Sequence, residues 1–330
     1  MFQPPSYPAD PAGGAGEDPG AAGLEGDMSD FTPRPANADS DTPRPSHDHT
    51  PLADTKPTVP YTLPGFTPRL VATDLDGTIV RSDGTVSSRT VDALARVERA
   101  GAAVVMVTGR PPRWMREIAT AVGHRGVAIC ANGAVLYDLH TERVLNSHMI
   151  EPDVIAQVVE RLRGALPELR FAVEYPSGFV FEARYNLGRW DAEALGGRPV
   201  DDETLVSQGG TKLLAFHPGA DPDSLAQEAV KAVGDLVTVT HSSGRGLLEM
   251  SAQGITKASA LAEFCNGQGI TSAEVVAFGD MPNDLPMLTW AGTSYGVANA
   301  HPDVLATVTY RTASNNDDGV AQVLEAFFPA

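Results

Sequence analysis

Two aspartates stand one residue apart in the stretch VATDLDGTIV at residues 71–80, directly after an apolar run. Asp74 and Asp76 carry like charges, and carboxylates that are crowded into a dry site repel one another. A bound cation, or a reaction that uses both carboxyl groups, removes this repulsion. Gly77 follows them and permits a tight turn, whose backbone N–H groups can hold an anion. The alternative is an Asx-type turn without chemistry.

Three further polar stretches are placed in the same way, after an apolar run or at the start of a helix. TGR follows AAVVMV, GITK precedes a helical segment, and FGDMPND ends another apolar run. Open α/β sheets bind ligands at the carboxyl ends of their parallel strands, so we expect these stretches to meet. The candidate residues that they contribute are Thr108, Gly109, Arg110, Lys257, Asp280, Asn283 and Asp284.

Each of these stretches also has a purely structural interpretation. TGR can be a plain turn, a lysine at a helix start is often solvated, and NDLP suits an ordinary helix N-cap. Arg110 can form a surface salt bridge, and Asn132 in NGA can serve a tight Asn-Gly turn. Their joint occurrence, each on the expected kind of element, favours a functional site.

From Arg69 onward the pattern predicts strands that alternate with helices. LVATD, AAVVMVTG and GVAIC are typical strands, and helical apolar spacing occurs at 90–100 and 114–122. This alternation predicts a parallel sheet with right-handed crossovers, and the continuous apolar runs fit strands covered on both faces. A mixed α+β block at 135–250 interrupts the α/β pattern, which returns at 251–330.

Inside this block the pattern predicts a hairpin from AVLYD and RVLNSHM, a helix at 153–165 and strands at 171–175 and 178–183. The stretch 184–210 has no clear period and is expected to be irregular. Further strands are predicted from TKLLAFH, LVTVTH and GLLEM, with a helix at 223–233.

Composition bounds the class of protein. The chain has 330 residues, 42% of them hydrophobic, and a formal charge of −18, which argues against nucleic-acid binding through a basic surface. Cys130 and Cys265 are expected to be reduced core cysteines. No apolar run reaches the roughly 18 residues of a membrane span and no signal peptide is visible, so we expect a cytoplasmic protein. Residues 1–66, rich in Pro, Gly, Ala, Asp and Ser, are predicted to form a disordered tail.

The stretches DLDGT, TGR, GITK and FGDMPND together resemble the motifs of the haloacid dehalogenase superfamily, specifically its Cof-like branch of small-molecule phosphatases. The resemblance covers about residues 68–330. It implies an α/β fold with a Rossmann-like core and a mobile, inserted α+β cap domain of the C2 type. The core then comprises residues 67–134 and 251–330, and the cap comprises residues 135–250.

This resemblance implies Mg²⁺-dependent hydrolysis of a phosphate ester. Asp74 is then the nucleophile that forms an aspartyl phosphate, and Asp76 protonates the leaving oxygen and later activates water. Mg²⁺ is expected on Asp74, on the backbone carbonyl of Asp76 and on Asp280. Thr108 and Lys257 are expected to bind the phosphoryl group and offset its charge.

The other candidates have supporting roles in this scheme. Asn283 is expected to bond phosphate or metal-bound water, and Asp284 is expected to orient Lys257. The remaining predicted substrate contacts are Gly77, Gly109, Arg110 and Asn132.

The substrate is expected to be a small phosphorylated metabolite, such as a sugar phosphate or a phosphorylated cofactor, and the protein a monomer or homodimer without nucleic-acid or membrane partners. A sugar-phosphate mutase shares these motifs and stays an alternative, as does a non-catalytic protein that binds phosphometabolites. The basic cap residues are expected to face solvent for the most part, and none is assigned to the site; they are Arg184, Arg189, Lys212 and Arg245.

Overall fold

The computed structural model describes residues 67–185, 196–242 and 246–330, which all belong to one compact unit. The predicted tail at 1–66 lies outside the described residues. None of the helices in the described ranges combines the length and the apolar character that a bilayer crossing requires.

The described elements alternate between strands and helices over most of the chain. In chain order, the strands are β1 (Leu70–Thr73), β2 (Ala103–Val107), β3 (Val127–Cys130), β4 (Val135–Asp138), β5 (Arg143–Ser147), β6 (Arg170–Tyr175), β7 (Gly178–Glu182), β8 (Gly197–Val200), β9 (Lys212–Phe216), β10 (Val237–Thr240), β11 (Leu247–Ala252), β12 (Val275–Gly279), β13 (Thr293–Gly296) and β14 (Tyr310–Arg311). The helices are α1 (Ser88–Arg99), α2 (Arg116–Ala121), α3 (Pro152–Ala165), α4 (Asp202–Ser207), α5 (Pro222–Val233), α6 (Lys257–Gly267), α7 (Leu285–Trp290), α8 (Pro302–Thr307) and α9 (Gly319–Phe327). Short 3-10 turns lie at Pro112–Trp114, Ala131–Gly133, Ser272–Glu274, Pro282–Asp284 and Asn315–Asp317.

The first sheet has the strand order β14-β13-β12-β1-β2-β3-β4-β5. In it, β1 pairs in parallel with β12 on one side and with β2 on the other, so that Leu70 lies opposite both Val275 and Ala103. Every residue of β1 and β12 is buried, as expected for apolar runs covered on both faces. The predicted α/β core with a parallel sheet is therefore confirmed.

The predicted hairpin forms as β4 and β5, but it extends the first sheet. β4 runs antiparallel to β3, from Val127 opposite Asp138 to Cys130 opposite Val135, and β5 pairs along its outer side. The short turn Ala131–Gly133 returns the chain directly onto β3, which leaves no length for these strands to reach a different sheet. Grouping the hairpin with the inserted block was therefore wrong.

The second sheet has the order β10-β11-β9-β6-β7-β8. One face is apolar and packs on α3, α4 and α5, through residues such as Phe171 and Leu213 with Val158 and Leu225. Because successive side chains of a strand point to opposite faces, the residues between them lie on the other face. That second face carries Glu174, Lys212 and Glu249, which are all buried.

The stretch predicted as irregular contains two elements in its described part. β8 adds to β7 in parallel, with Gly197 opposite Phe179, and α4 begins after Asp201, whose side chain accepts a hydrogen bond from the N–H of Thr204. The sequence GRPV has a glycine, a proline and no buried residue, so it lacks the period that marks a strand. Its pairing depends on the neighbouring strand and not on its own pattern.

Candidate active site

Asp74 and Lys257 meet at the carboxyl end of the first sheet. Asp74 follows β1, and Lys257 is the first residue of α6, whose N-cap Thr256 accepts a hydrogen bond from the N–H of Ser259. This cap fixes where the lysine side chain leaves the helix. Its Nζ lies 2.5 Å from Asp74 Oδ1 and 2.7 Å from Asp284 Oδ1. The buried ammonium group therefore holds two carboxylates together.

Asp280 reaches the same point from the neighbouring strand. It follows β12, and the parallel register of β12 with β1 places it at the same sheet edge as Asp74. Thr78 Oγ1 donates a 3.0 Å hydrogen bond to Asp280 Oδ1. Asp284 Oδ2 accepts from the backbone N–H groups of Asp280 and Met281, at 3.0 and 3.1 Å. Carboxylate oxygens of Asp74, Asp280 and Asp284 lie within 4.8 Å of one another.

These three aspartates, the carboxylate cluster, carry more negative charge than the single Lys257 ammonium balances. Burial raises the pKa of Asp74 well above its usual value, and the Lys257 ammonium opposes the shift only in part. Burial and then the Asp284 carboxylate raise the pKa of Asp280 to about 7. Burial alone would lower the pKa of Lys257, but Asp284 and Asp74 outweigh it and raise that pKa well above its usual value. An added cation would restore the balance of charge.

The carboxylate cluster fits Mg²⁺, a hard cation that prefers oxygen ligands. Asp74 and Asp280 have lone pairs available, whereas the Asp284 oxygens already accept from Lys257 and two backbone N–H groups. The side chain of Asp76 lies outside the cluster. Its predicted metal contact runs through the backbone carbonyl, and it stays a prediction.

The turn after Asp76 brings the backbone close to the Asp280 carboxylate. Gly77 has a φ of +82°, and a Cβ at this position would overlap that carboxylate. Asn299 Nδ2 donates a 2.8 Å hydrogen bond to the Gly77 carbonyl and holds the turn from the loop after β13. Glycine is therefore required here for its φ and for the close approach.

Asp76 and Arg110 form a two-pronged ion pair beside the cluster. Arg110 Nε lies 2.7 Å from Asp76 Oδ2, and its Nη2 lies 2.5 Å from Oδ1. The Asp76 side chain is 56% exposed. The structure thus gives Arg110 the salt-bridge partner that the sequence left open, and that partner is the predicted acid and base.

Thr108, Asn132 and Asn283 are buried in one connected group. Asn132 donates from its N–H to the Thr108 carbonyl at 3.0 Å, and Asn283 Nδ2 donates to Asn132 Oδ1 at 3.1 Å. Thr108 Oγ1 accepts from the N–H of Arg110 at 3.0 Å. Asn283 Oδ1 is buried and has no hydrogen-bond partner among the described residues. A Cβ on Gly109 would lie 3.2 Å from Asn132 Oδ1, so this loop packs tightly.

The predicted site residues thus converge from separate parts of the chain, with Asp76 and Arg110 on the exposed side. The sequence analysis did not single out Thr78 or Asn299, although Thr78 ends the quoted stretch DLDGT and Asn299 follows a core strand. Lys212 departs from the expectation that the basic cap residues face solvent for the most part: it is 3% exposed and lies 2.6 Å from Glu249 Oε2. Arg189 and Arg245 lie outside the described residues.

Comparison with known proteins agrees with this arrangement. Residues 71–324 match the family of haloacid dehalogenase-like hydrolases. The chain is 29% identical to the pyridoxal phosphate phosphatase YbhA of Escherichia coli, over 78% of this chain and 98% of the relative. It is 27% identical to the 5-amino-6-(5-phospho-D-ribitylamino)uracil phosphatase YcsE of Bacillus subtilis, over 78% of this chain and 94% of the relative.

A solved structure of a haloacid dehalogenase-like hydrolase from Bacteroides thetaiotaomicron superposes with a TM-score of 0.64 at 26% identity, and the match covers 79% of this chain and 99% of the other. The family match extends over more than half of the chain and includes all four motifs. The resemblance predicted from the sequence is confirmed, and the chain belongs to the haloacid dehalogenase-like hydrolase family.

Proposed function

We propose that this protein is a Mg²⁺-dependent phosphatase that hydrolyses small phosphate monoesters through an aspartyl phosphate on Asp74. The observation that carries the proposal is the contact of Asp74 with Lys257 beside Asp280. A nucleophilic carboxylate needs a nearby cation to approach an anionic phosphoryl group. The buried lysine supplies one positive charge, and the cluster has the ligands for a second.

Asp74 and Asp280 would hold Mg²⁺, with the Asp76 backbone carbonyl as the expected third protein ligand. Bound there, the ion supplies charge neutralisation between the carboxylate and the phosphoryl oxygens. Asp284 acts through Lys257, since its Oδ1 fixes the ammonium group that faces Asp74. Thr108 and Asn283 offer a hydroxyl and an amide to the phosphoryl oxygens.

Asp76 is the proposed proton carrier. Its protonated carboxyl group would donate to the oxygen that leaves phosphorus, and the resulting carboxylate would accept a proton from the water that attacks the aspartyl phosphate. In the structure both oxygens of Asp76 accept from Arg110, so Arg110 must release them during turnover. We assign Arg110 to holding Asp76 beside the site between turnovers.

The second sheet with α3, α4 and α5 is the proposed cap domain. Its charged side chains contact the core at the loop after Thr108, through Lys212 and the Gly109 carbonyl at 2.6 Å. Closure of a cap over the site excludes bulk water from a reactive intermediate. A cytoplasmic location and a monomeric or homodimeric state remain predictions.

Relatives named as phosphatases of pyridoxal phosphate and of a phosphoribitylaminouracil support a small phosphorylated metabolite as the substrate here. A sugar-phosphate mutase would use the same carboxylates with a sugar hydroxyl as the acceptor. A protein that only binds phosphometabolites has no use for an acid and base such as Asp76.

The test is a screen of phosphorylated metabolites with Mg²⁺, in which free phosphate is measured. Asp74→Asn keeps the shape of the side chain but removes the nucleophile, so it should release no phosphate from any compound. Turnover by this variant at the wild-type rate would refute the assignment of Asp74. An isomeric phosphate in place of free phosphate would favour the mutase.

A further inference from the structure

The second face of the second sheet carries buried charges that packing does not require. Glu174, Lys212 and Glu249 are 4%, 3% and 4% exposed. Lys212 Nζ lies 2.6 Å from Glu249 Oε2 and 3.7 Å from Glu174 Oε2. Buried ion pairs contribute little net stability, and apolar side chains of similar volume pack as well or better. This charged face therefore calls for a function.

The charged face lies against the core beside the phosphoryl site. Lys212 Nζ donates to the Gly109 carbonyl at 2.6 Å, and Glu249 Oε2 accepts from Asn132 Nδ2 at 2.8 Å. Gly109 follows Thr108 in the chain, and Asn132 is bonded to Asn283. The lysine and the glutamate thus stand directly over the residues proposed to hold the phosphoryl group.

Asn283 Oδ1 and the Tyr185 hydroxyl are among the buried polar atoms around this face that have no hydrogen-bond partner in the described residues. Tyr185 is 4% exposed. Burial, and then the charges of Glu174 and Glu249, raise its pKa, so the hydroxyl stays protonated and can donate a hydrogen bond. Buried polar groups are normally satisfied, and a polar ligand at this face would satisfy these two.

An aromatic wall adjoins the charged face. Phe179 lies opposite Glu174 in the register of β6 and β7, and Glu174 lies opposite Lys212 in that of β6 and β9. The ring centroids of Phe179 and Phe181 are 5.8 Å apart, and those of Phe181 and Tyr185 are 6.1 Å apart. Aromatic rings bind planar ligands by stacking or edge contact.

Resting on the proposed phosphatase function, we propose that Lys212 and Glu249 select the alcohol part of the substrate. These two residues favour a phosphate ester whose alcohol part is a planar polar ring. The ring accepts a hydrogen bond from Lys212 and donates one to Glu249. In the structure the Gly109 carbonyl and the Asn132 amide occupy the positions of this acceptor and donor. The ligand displaces both core groups as it enters, and the aromatic wall borders its ring.

A ring fits better than a sugar because part of the polar surface is already paired: Arg113 donates to Glu174, and Ser242 donates to Glu249. The ammonium, the Glu249 carboxylate and the Tyr185 hydroxyl can satisfy two or three groups of a heteroaromatic alcohol. A hexose would bring several more hydroxyls against Phe179 and Phe181, where they would lose their hydrogen bonds to water. We therefore expect the wild-type protein to prefer pyridoxal 5′-phosphate to glucose 6-phosphate.

The experiment compares kcat/KM for pyridoxal 5′-phosphate with kcat/KM for acetyl phosphate, which lacks the ring. Lys212→Met should lower the ratio of the two values by about 10- to 100-fold, the range expected for a lost hydrogen bond to a charged group. A partly unfolded preparation lowers both rates equally, so the ratio reports recognition alone. Lys231→Met, at an exposed cap lysine paired only with Glu228 in the described residues, is the matched control and should leave the ratio unchanged.

Removal of Lys212 alone leaves Glu249 buried without its cation, which can impair folding. The double variant Lys212→Met/Glu249→Met removes both charges and should show the same loss of ratio. An unchanged ratio in both variants, or a wild-type preference for glucose 6-phosphate, would overturn the inference. Hydrolysis of acetyl phosphate in the same assays would still support the proposed phosphatase function. Wild-type protein that releases phosphate from none of the three compounds would overturn both.

Discussion

Asp284→Asn tests how the buried lysine is held without changing the shape of the site. Asp284 is 0% exposed, and both of its oxygens act as acceptors. Oδ1 accepts from Lys257, and Oδ2 accepts from the N–H groups of Asp280 and Met281. An asparagine has one acceptor oxygen and one donor NH₂ group. Whichever way the amide is oriented, its NH₂ group then faces either the Lys257 ammonium or the two backbone N–H groups, so that two donors meet.

The expected cost follows from these contacts. Loss of one hydrogen bond to a charged group costs about 1.5–3 kcal/mol, and loss of one partner of a buried ion pair costs about 3–5 kcal/mol. The substitution also relieves the repulsion that Asp284 exerts on Asp280 and Asp74. We expect a net loss of about 2–4 kcal/mol, which lowers Tm by roughly 5–15 °C in a domain of this size.

Thermal melts and steady-state kinetics measure the two consequences. With Lys257 misplaced, kcat should fall by at least about 10-fold, since the ammonium loses its orientation toward Asp74. Asp201→Asn is the matched control, because the side chain of this exposed N-cap aspartate accepts from the N–H of Thr204 and Asn caps as well as Asp. An Asp284→Asn variant whose Tm and kcat both match those of the control would refute the role given to Asp284.

Three further predictions address the turn, the proton carrier and the metal. Gly77→Ala should lower both Tm and the response to Mg²⁺ in a melt, because an alanine at φ +82° would overlap the Asp280 carboxylate; an unchanged response would contradict the tight approach. Arg110→Met should change stability by no more than about 1 kcal/mol, as its partner Asp76 is half exposed, yet lower kcat, and a kcat equal to that of wild type would argue against a positioning role. Asp280, whose pKa burial raises from about 3.8 to about 7, keeps a proton in the folded state that the unfolded chain releases, so metal-free stability should fall as pH rises between these values. Mg²⁺ should then raise Tm more at about pH 8 than at about pH 5. An equal rise in Tm at both pH values would argue against Mg²⁺ binding at this site.

The meeting of Asp74 with Asp280 was predictable from the sequence. Both follow continuous apolar runs, and parallel strands present their carboxyl ends at one edge of a sheet. The structure adds the strand order, in which β1 is central and β12 pairs beside it. Local pattern and general topology were sufficient for this part of the site.

The charged face of the second sheet was not predictable in the same way. TKLLAF and GLLEM alternate in a manner that places Lys212 and Glu249 on one face of the sheet, but alternation does not say what covers that face. An uncovered face would have left both side chains in water, which is what the sequence analysis expected for most of the basic cap residues, Lys212 among them. The covering element is the loop after Thr108, which precedes these strands by about a hundred residues in the chain.

The same contrast between core strands and second sheet applies to the two proposed tasks of the site, phosphoryl transfer and recognition of the alcohol part. Groups that act on the phosphoryl unit lie at the ends of core strands, where backbone geometry fixes them before any ligand arrives. The groups proposed to face the alcohol part lie on a separate sheet, and on this proposal their contacts with Gly109 and Asn132 break when a ligand enters. On the proposal made above, substrate choice would be coupled to cap movement: an alcohol that cannot replace both contacts would leave a buried charge unpaired, and the closed state would then be disfavoured.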